Sequence, residues 1–412
     1  MMKKYAILGA ARSGESLAKF LIKHNQEVTL FDDKKSKYLP LQAFNENDFD
    51  VVVKSPGIPN DHPVLLNHKK FLYSDIEIVS QYMPGTNFLA ITGTNGKTTT
   101  STLLAHLLCA KLGGNVGIGL ADVVSDGDVV VEVSSFQCEG LENFKPHLAA
   151  LLNLTPDHLD RYLSVEEYYL SKFNLFKNMN ENDYLIVNGD DINIKRLIKT
   201  NDLKCQIISV SLKNNDCQVY LKAGSVYYLD TCLFNLCDLN LIGEHNLFNA
   251  MVASTIAYLN GLLPQNIQKK LKQFNGIEHR MEKFFEHNGV IFINDSKATN
   301  PEASEVAIKS FEKNVHWILG GYDKHTSFEI LKKYGDRAKY IYVFGQTKNQ
   351  LHSVFPKSCI YDNLDQVLNA VANNVSNGDV VLFSPACASF DQFIDYNHRG
   401  IYFKEKVKEI FK

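Results

Sequence analysis

The run Thr92-Gly93-Thr94-Asn95-Gly96-Lys97-Thr98-Thr99 carries the densest chemistry in the chain. Glycines let a backbone fold tightly enough for its N–H groups to surround phosphate oxygens. A following helix adds its positive end, and a lysine reaches the outer phosphates of a nucleoside triphosphate. The Thr98 hydroxyl suits Mg²⁺. The general phosphate-loop pattern has a glycine five residues before Gly96, where this chain has Ile91. The expectation therefore rests on Gly-Lys-Thr-Thr and its flanks, against the plainer alternative of a glycine-containing turn.

Glu132 closes the apolar run Asp128-Val-Val-Val-Glu132 and precedes Val133-Ser134-Ser135-Phe136-Gln137. An acid at a strand end beside a phosphate loop is where phosphoryl transfer needs a metal-binding carboxylate, although a solvated glutamate has the same pattern. In Asn153-Leu-Thr-Pro-Asp157-His158-Leu-Asp160-Arg161, His158 and the nearby acids could ligate a metal or serve as structural hydrogen-bonding groups. Lys172 follows on a predicted helix and by itself reads as solvated.

Near the N-terminus, Gly9-x4-Gly14 has Ala11 where the dinucleotide fingerprint has its middle glycine. Asp32 could accept a hydrogen bond from ribose or uracil, or cap a helix. Only a nucleotide of some kind follows. Toward the C-terminus stand Asn294-Asp295-Ser-Lys-Ala-Thr299-Asn300, Gly320-Gly-Tyr-Asp-Lys324 and Ser384-Pro-Ala-Cys-Ala-Ser389-Phe-Asp-Gln-Phe393. Lysines and hydroxyls at three strand ends would converge on a small anion, with Lys324 facing a carboxylate and Ser389 donating hydrogen bonds.

These residues need strands to carry them. Apolar segments at 5–8, 27–31, 50–54, 88–91, 129–133, 148–154, 290–294, 316–319, 340–344 and 380–383 alternate with helical stretches, among them about 98–112 and 246–259. That alternation predicts parallel sheets covered by helices. The fold class is therefore α/β in three domains: a Rossmann-like domain over 1–75, a P-loop ATPase-like domain over 76–276 and a second Rossmann-like domain over 277–412. Carboxyl ends of parallel strands, where the motifs fall, are where open α/β sheets bind ligands.

The 412 residues hold 22% charged side chains with a formal net charge of −3. That balance gives no reason to expect nucleic acid. No apolar run reaches the roughly 18 residues a membrane span needs, which predicts a cytoplasmic chain. The eight cysteines are scattered, without Cys-x-x-Cys, so neither zinc nor a disulfide framework is expected.

Taken together, the phosphate loop, Glu132-Val-Ser-Ser-Phe-Gln137, Asp157-His158, Gly243-Glu-His-Asn246, His279-Arg280, Asn294-Asp-Ser-Lys-Ala-Thr299 and Ser384-Pro-Ala-Cys-Ala-Ser389 resemble the Mur ligase family in order and spacing. Within it, the last two motifs resemble the branch that adds D-glutamate. The resemblance implies an enzyme that uses ATP to join D-glutamate to UDP-N-acetylmuramoyl-L-alanine, acting as a monomer; a sister ligase adding another amino acid is the alternative. It further implies that Ser13 and Gly14 meet the acceptor diphosphate, Asp32 and Asp33 the uridine, and Ser55, Asn115 and Ser134 the rest of the acceptor. Gly93, Thr94, Asn95, Gly96, Lys97, Thr98 and Thr99 would hold ATP together with Asn246, Asn249, Arg280 and Asp295. Thr98, Glu132, His158 and Lys172 would serve two Mg²⁺ ions. By the same resemblance Lys172 is carbamylated by CO₂, with Lys177 as the other candidate. Lys97, His158 and Lys172 would be the catalytic set. Thr299, Lys324, Ser389 and Phe390 would bind D-glutamate, with Tyr396 where the family has phenylalanine.

Overall fold

The computed structural model describes residues 2–412 apart from Asn60, Asn67 and Asp160. Its described residues form three sheets. The first contains β1 (Lys4–Leu8), β2 (Glu27–Phe31), β3 (Val51–Lys54) and β4 (Leu72–Tyr73), all parallel, in the order β2-β1-β3-β4. Helix α1 (Arg12–Lys23) follows β1 directly. Because the order reverses on either side of β1, the Gly9–Gly14 turn opens at a topological switch point, the position that binds ligands in such sheets.

Helix α2 (Asp75–Tyr82) leads into the second sheet, built from β5 (Thr86–Thr92), β6 (Lys111–Gly114), β7 (Gly127–Glu132), β8 (Leu148–Leu151), β9 (Tyr184–Asn188), β10 (Gln206–Ser211), β11 (Val219–Lys222), β12 (Ser225–Tyr228) and β13 (Thr231–Asn235). Its order is β13-β12-β11-β10-β9-β8-β5-β7-β6. β5 lies between β7 and β8, and helix α3 (Lys97–Leu108) leaves its carboxyl end through the phosphate loop. The all-apolar runs Val129–Val131 and 148–151 are fully buried, as strands covered on both faces must be. Each such Val or Leu contributes roughly 1.5–3 kcal/mol by leaving water. The β11–β12–β13 edge is antiparallel. The single apolar stretch expected over 148–154 is strand only to Leu151.

The helix expected to reach residue 112 stops at Leu108, and Cys109 takes φ +54°. The residues after it pair with β7 instead, Lys111 opposite Val129 and Gly114 opposite Glu132. A left-handed residue ends the helix, and strand pairing then overrides the helical propensity of 109–112. This switch delivers Asn115 to the side of Glu132.

The third sheet contains β14 (Glu282–His287), β15 (Val290–Asn294), β16 (Val315–Gly320), β17 (Ala338–Phe344), β18 (Cys359–Ile360) and β19 (Val380–Phe383), ordered β14-β15-β19-β16-β17-β18. β14 and β18 are additions to the four strands expected. The polar sequence of β14, Glu-Lys-Phe-Phe-Glu-His, hides an antiparallel edge strand half open to solvent.

By contacts the chain forms two compact units: Met1–Asp238 with Phe248–Leu271, and Leu239–Leu247 with Lys272–Lys412. The first unit contains both the first and second sheets, so position 75–76 lies inside it. One apolar cluster there runs from Ile7, Leu17 and Val53 to Phe88, Val131 and Leu151.

Candidate active site

The phosphate loop is held from behind by the segment that follows β8. Asn153 accepts from the Asn95 N–H at 2.8 Å through its side-chain oxygen and donates its amide to the Asn95 carbonyl at 2.9 Å. The Thr94 N–H donates to the Asn153 carbonyl at 3.0 Å. Gly96 has φ +84°, and a Cβ there would lie 2.6 Å from Asn249 Oδ1, so the position accepts only glycine and brings Asn249 to the loop. Lys97 Nζ donates to the Gly93 and Thr94 carbonyls at 2.9 and 2.8 Å. Thr98 is half-buried, and Thr99 is buried beneath the loop.

Glu132 is buried, with Oε1 accepting from Asn115 Nδ2 at 2.9 Å and Oε2 facing the Ser101 hydroxyl at 3.5 Å. Ser134 caps helix α4 (Ser135–Glu139) in a reciprocal pair with Gln137. His158, exposed at φ +53°, stands 3.7 Å from Asp157 Oδ2 with its ring 4.8 Å from that of Phe136. Asp160 lies outside the described residues.

Lys172 lies in the last turn of helix α5 (Val165–Phe173) and is only 1% exposed. Burial lowers its pKa to about 8; the Cys138 thiol and Asp157 oppose the fall, and the charge on Lys97 assists it. Its Nζ lies 4.5 Å from the centre of the Tyr168 ring and makes no hydrogen bond among the described residues. The Tyr168 hydroxyl donates to Thr94 Oγ1 at 3.2 Å, fastening the helix of Lys172 to the phosphate loop. Lys177 instead donates to the Leu141 carbonyl at 2.8 Å.

In the first sheet, a Cβ on Gly14 would lie 2.1 Å from the Gly9 carbonyl oxygen, so the turn requires glycine there. Ser13 is half-buried beside it. Ser55 Oγ donates to the Gly9 carbonyl at 2.7 Å. Asp32 accepts from the backbone N–H groups of Ala10, Lys34 and Lys35 at 2.7, 2.8 and 3.1 Å. Burial acts to raise its pKa, but those donors prevail and hold it below the usual range. Asp33 accepts from the Leu41 N–H at 2.8 Å.

In the second unit, Asp295 is buried at the end of β15 and accepts from the Met281 N–H at 3.1 Å and the Ser384 hydroxyl at 2.7 Å. Burial raises its pKa to about 7 against those hydrogen bonds and the charges of Arg280 and Arg399. Arg280 sits between His279 and Met281, both at positive φ. Asn246 donates to the Ile242 carbonyl at 2.8 Å. Ser389 is buried, Thr299 half-buried and Lys324 exposed. Phe390 is exposed and meets the Tyr322 ring edge-on at 5.9 Å. Tyr396 accepts from Lys297 Nζ at 2.8 Å. Arg399, buried, donates to the Ser296 and Ala388 carbonyls at 2.8 and 3.0 Å and locks two of the motif loops together.

Sequence reading did not single out Tyr168, Asn153 or Ser101. Tyr168 had a usable signal, its position four residues before Lys172 on one helix. Asn153 and Ser101 had none.

Residues 91–257 match the model of the Mur ligase middle domain, and residues 279–387 that of the Mur ligase glutamate ligase domain. UDP-N-acetylmuramoylalanine–D-glutamate ligase of Christiangramia forsetii is 37% identical, covering 100% of both chains. The proteins of that name from Hydrogenobaculum sp. and Aquifex aeolicus are each 36% identical, covering 99% and 98% of both chains respectively.

The chain belongs to the Mur ligase family.

Solved structures agree in fold. UDP-N-acetylmuramate-alanine ligase of Thermotoga maritima aligns at a TM-score of 0.60 and 17% identity over 99% of this Mur ligase and 98% of that chain. The MurF ligase of the same organism, in complex with ADP, aligns at 0.59 and 17% identity over 99% and 93%. No helix among the described residues of this Mur ligase is long and apolar enough to cross a membrane.

Proposed function

We propose that this Mur ligase joins D-glutamate to the L-alanine carboxylate of UDP-N-acetylmuramoyl-L-alanine, converting ATP to ADP and orthophosphate, as a cytoplasmic monomer in peptidoglycan precursor synthesis. The observation that carries this reading is the full-length similarity, at 35–37% identity, to proteins named for that reaction.

A carboxylate is a poor electrophile, so it must first be activated. Its oxygen attacks the γ-phosphorus of ATP, ADP leaves, and an acyl phosphate forms. The uncharged D-glutamate amine then attacks the acyl carbon, expels orthophosphate and gives up a proton as the amide forms. Gly93–Thr99 surround the triphosphate with backbone N–H groups, and Lys97 moves from its loop carbonyls to the transferring phosphoryl group. Asn246, Asn249, Arg280 and Asp295 hold the nucleotide. In the first sheet, Ser13 and Gly14 take the diphosphate, Asp32 and Asp33 the uridine, and Ser55 the adjoining sugar; Asn115 and Ser134 line the acceptor's path. Thr299, Lys324 and Ser389 bind the amino-acid carboxylates, with Phe390 and Tyr396 beside them.

The Glu132 carboxylate, fixed by Asn115, and the Thr98 hydroxyl are hard oxygen donors that fit Mg²⁺, which completes its shell with water and phosphate oxygens. A buried amine with a lowered pKa and no hydrogen-bond partner among the described residues is suited to reaction with CO₂, so Lys172 as a carbamate, with His158, fits a second ion. Bound there, the two ions would neutralise charge developing on the phosphoryl oxygens.

The test is phosphate release from ATP with purified acceptor. Orthophosphate and ADP should form with D-glutamate and not with its L enantiomer. Lys97→Ala should lower the rate by about 10³-fold with the far-UV spectrum unchanged. AMP and pyrophosphate as products, or a Lys97→Ala protein of normal rate, would refute the assignment.

A further inference from the structure

Arg161, three residues after His158, makes contacts that none of the roles above uses. Its side chain is 11% exposed. The guanidinium carbon lies 3.8 Å from the centre of the Phe136 ring, in the run that begins at Glu132. One terminal nitrogen donates to the Pro56 carbonyl at 2.6 Å, in the Ser55-Pro56-Gly57 loop of the first sheet. The other lies 3.5 Å from Glu139 Oε2, while the Tyr162 hydroxyl donates to Glu139 Oε1 at 2.5 Å. Lys54, at the start of the same loop, approaches Glu139 at 3.9 Å and donates to the Ile58 carbonyl at 3.3 Å.

One planar cation thus touches a loop of the first sheet and an aromatic ring of the second. On the first-sheet side the chain of contacts continues through Ser55 Oγ to the Gly9 carbonyl, the base of the Gly9–Gly14 turn. On the other side Phe136 contacts the His158 ring. On the proposed function the acceptor's diphosphate lies at the turn, and its carboxylate reacts where phosphoryl transfer takes place, beside the ion that His158 would help to hold. A guanidinium provides several donors in one rigid plane and a stacking face, so it can fix both directions at once; an ammonium cannot.

We infer that Arg161 is a positioning residue that sets the spacing between the nucleotide-binding turn of the first sheet and the reaction centre of the second, and so determines how well the intact acceptor reaches both. This inference rests on the proposed function for the identity of the ligand that spans the two places.

The experiment compares three ligands by calorimetry on wild-type, Arg161→Met and Arg161→Lys proteins: the whole UDP-N-acetylmuramoyl-L-alanine, UDP alone and ADP. Both variants should bind the whole acceptor on the order of tenfold more weakly, the effect of losing a charge-assisted hydrogen bond. UDP and ADP, each confined to one sheet, should bind within about twofold of wild type, and the KM for ATP should hold while that for the acceptor rises. Arg161→Lys retains the charge and keeps the result readable if Arg161→Met folds poorly. Equal losses for all three ligands would reduce Arg161 to general stability and overturn the inference, as would unchanged acceptor binding in both variants. A wild-type protein that binds UDP but not the whole acceptor would overturn the proposed function, and this inference with it.

Discussion

Asn115 donates its side-chain amide to Glu132 Oε1 at 2.9 Å, and its backbone N–H to the Glu132 carbonyl at the same distance. The arrangement exists because β6 pairs in register with β7, Gly114 opposite Glu132. Asn115 thereby orients the carboxylate expected to hold Mg²⁺. Groups of this kind typically change metal affinity by 10–100-fold.

Replacing Asn115 with Ala should therefore raise the Mg²⁺ concentration for half-maximal phosphate release by about tenfold, with most of the rate recovered at saturating metal. A Mg²⁺ titration at fixed, saturating acceptor checks it. If the acceptor KM rises and the Mg²⁺ requirement stays fixed, Asn115 contacts acceptor and the orienting role is wrong.

Asp295 links stability to pH. Its folded-state pKa is raised to about 7 against an ordinary value of 3.8. Between those values the folded protein holds a proton that the unfolded chain has lost, so stability falls as pH rises from about 4 to 7 and is level above. Asp295→Asn removes the term. Thermal unfolding of the variant relative to wild type should shift upward by several degrees between pH 5 and pH 8. A pH-independent difference between the two proteins would show that Asp295 does not titrate in this range.

Glu77 on α2 is fully buried and accepts from the N–H groups of Glu142, Asn143 and Phe144 at 3.0, 3.1 and 2.9 Å, and from Gln81 Nε2 at 2.9 Å. Glu77→Ala would leave those donors buried and unsatisfied, at a cost of about 3–5 kcal/mol. The urea midpoint should drop accordingly, with Glu77→Gln falling between variant and wild type. An unchanged midpoint would mean that water replaces the carboxylate without loss.

The strand cores were legible because parallel strands covered on both faces read as unbroken apolar runs; Val290–Asn294 and Val380–Phe383 were bounded correctly from sequence. β14 was not, since one face is open and its composition is that of a loop. The end of α3 was missed because Cys109 enters the left-handed region with no glycine to announce it. Motif residues were legible one at a time, but their supports were not. Nothing in the spacing of Asn153 and Asn95, or of Arg161 and Pro56, announces that they meet, because those contacts exist only after the sheets have assembled.

The Gly9–Gly14 turn is shaped by crowding. The Gly9 carbonyl fills the space where a Gly14 side chain would be, and the Ser55 hydroxyl holds that carbonyl in place. A loop wedged in this way has almost no conformational entropy left to lose. An anion that meets its N–H groups is opposed mainly by desolvation, so the affinity of the first sheet should depend on how well the ligand replaces water and hardly at all on ordering the protein.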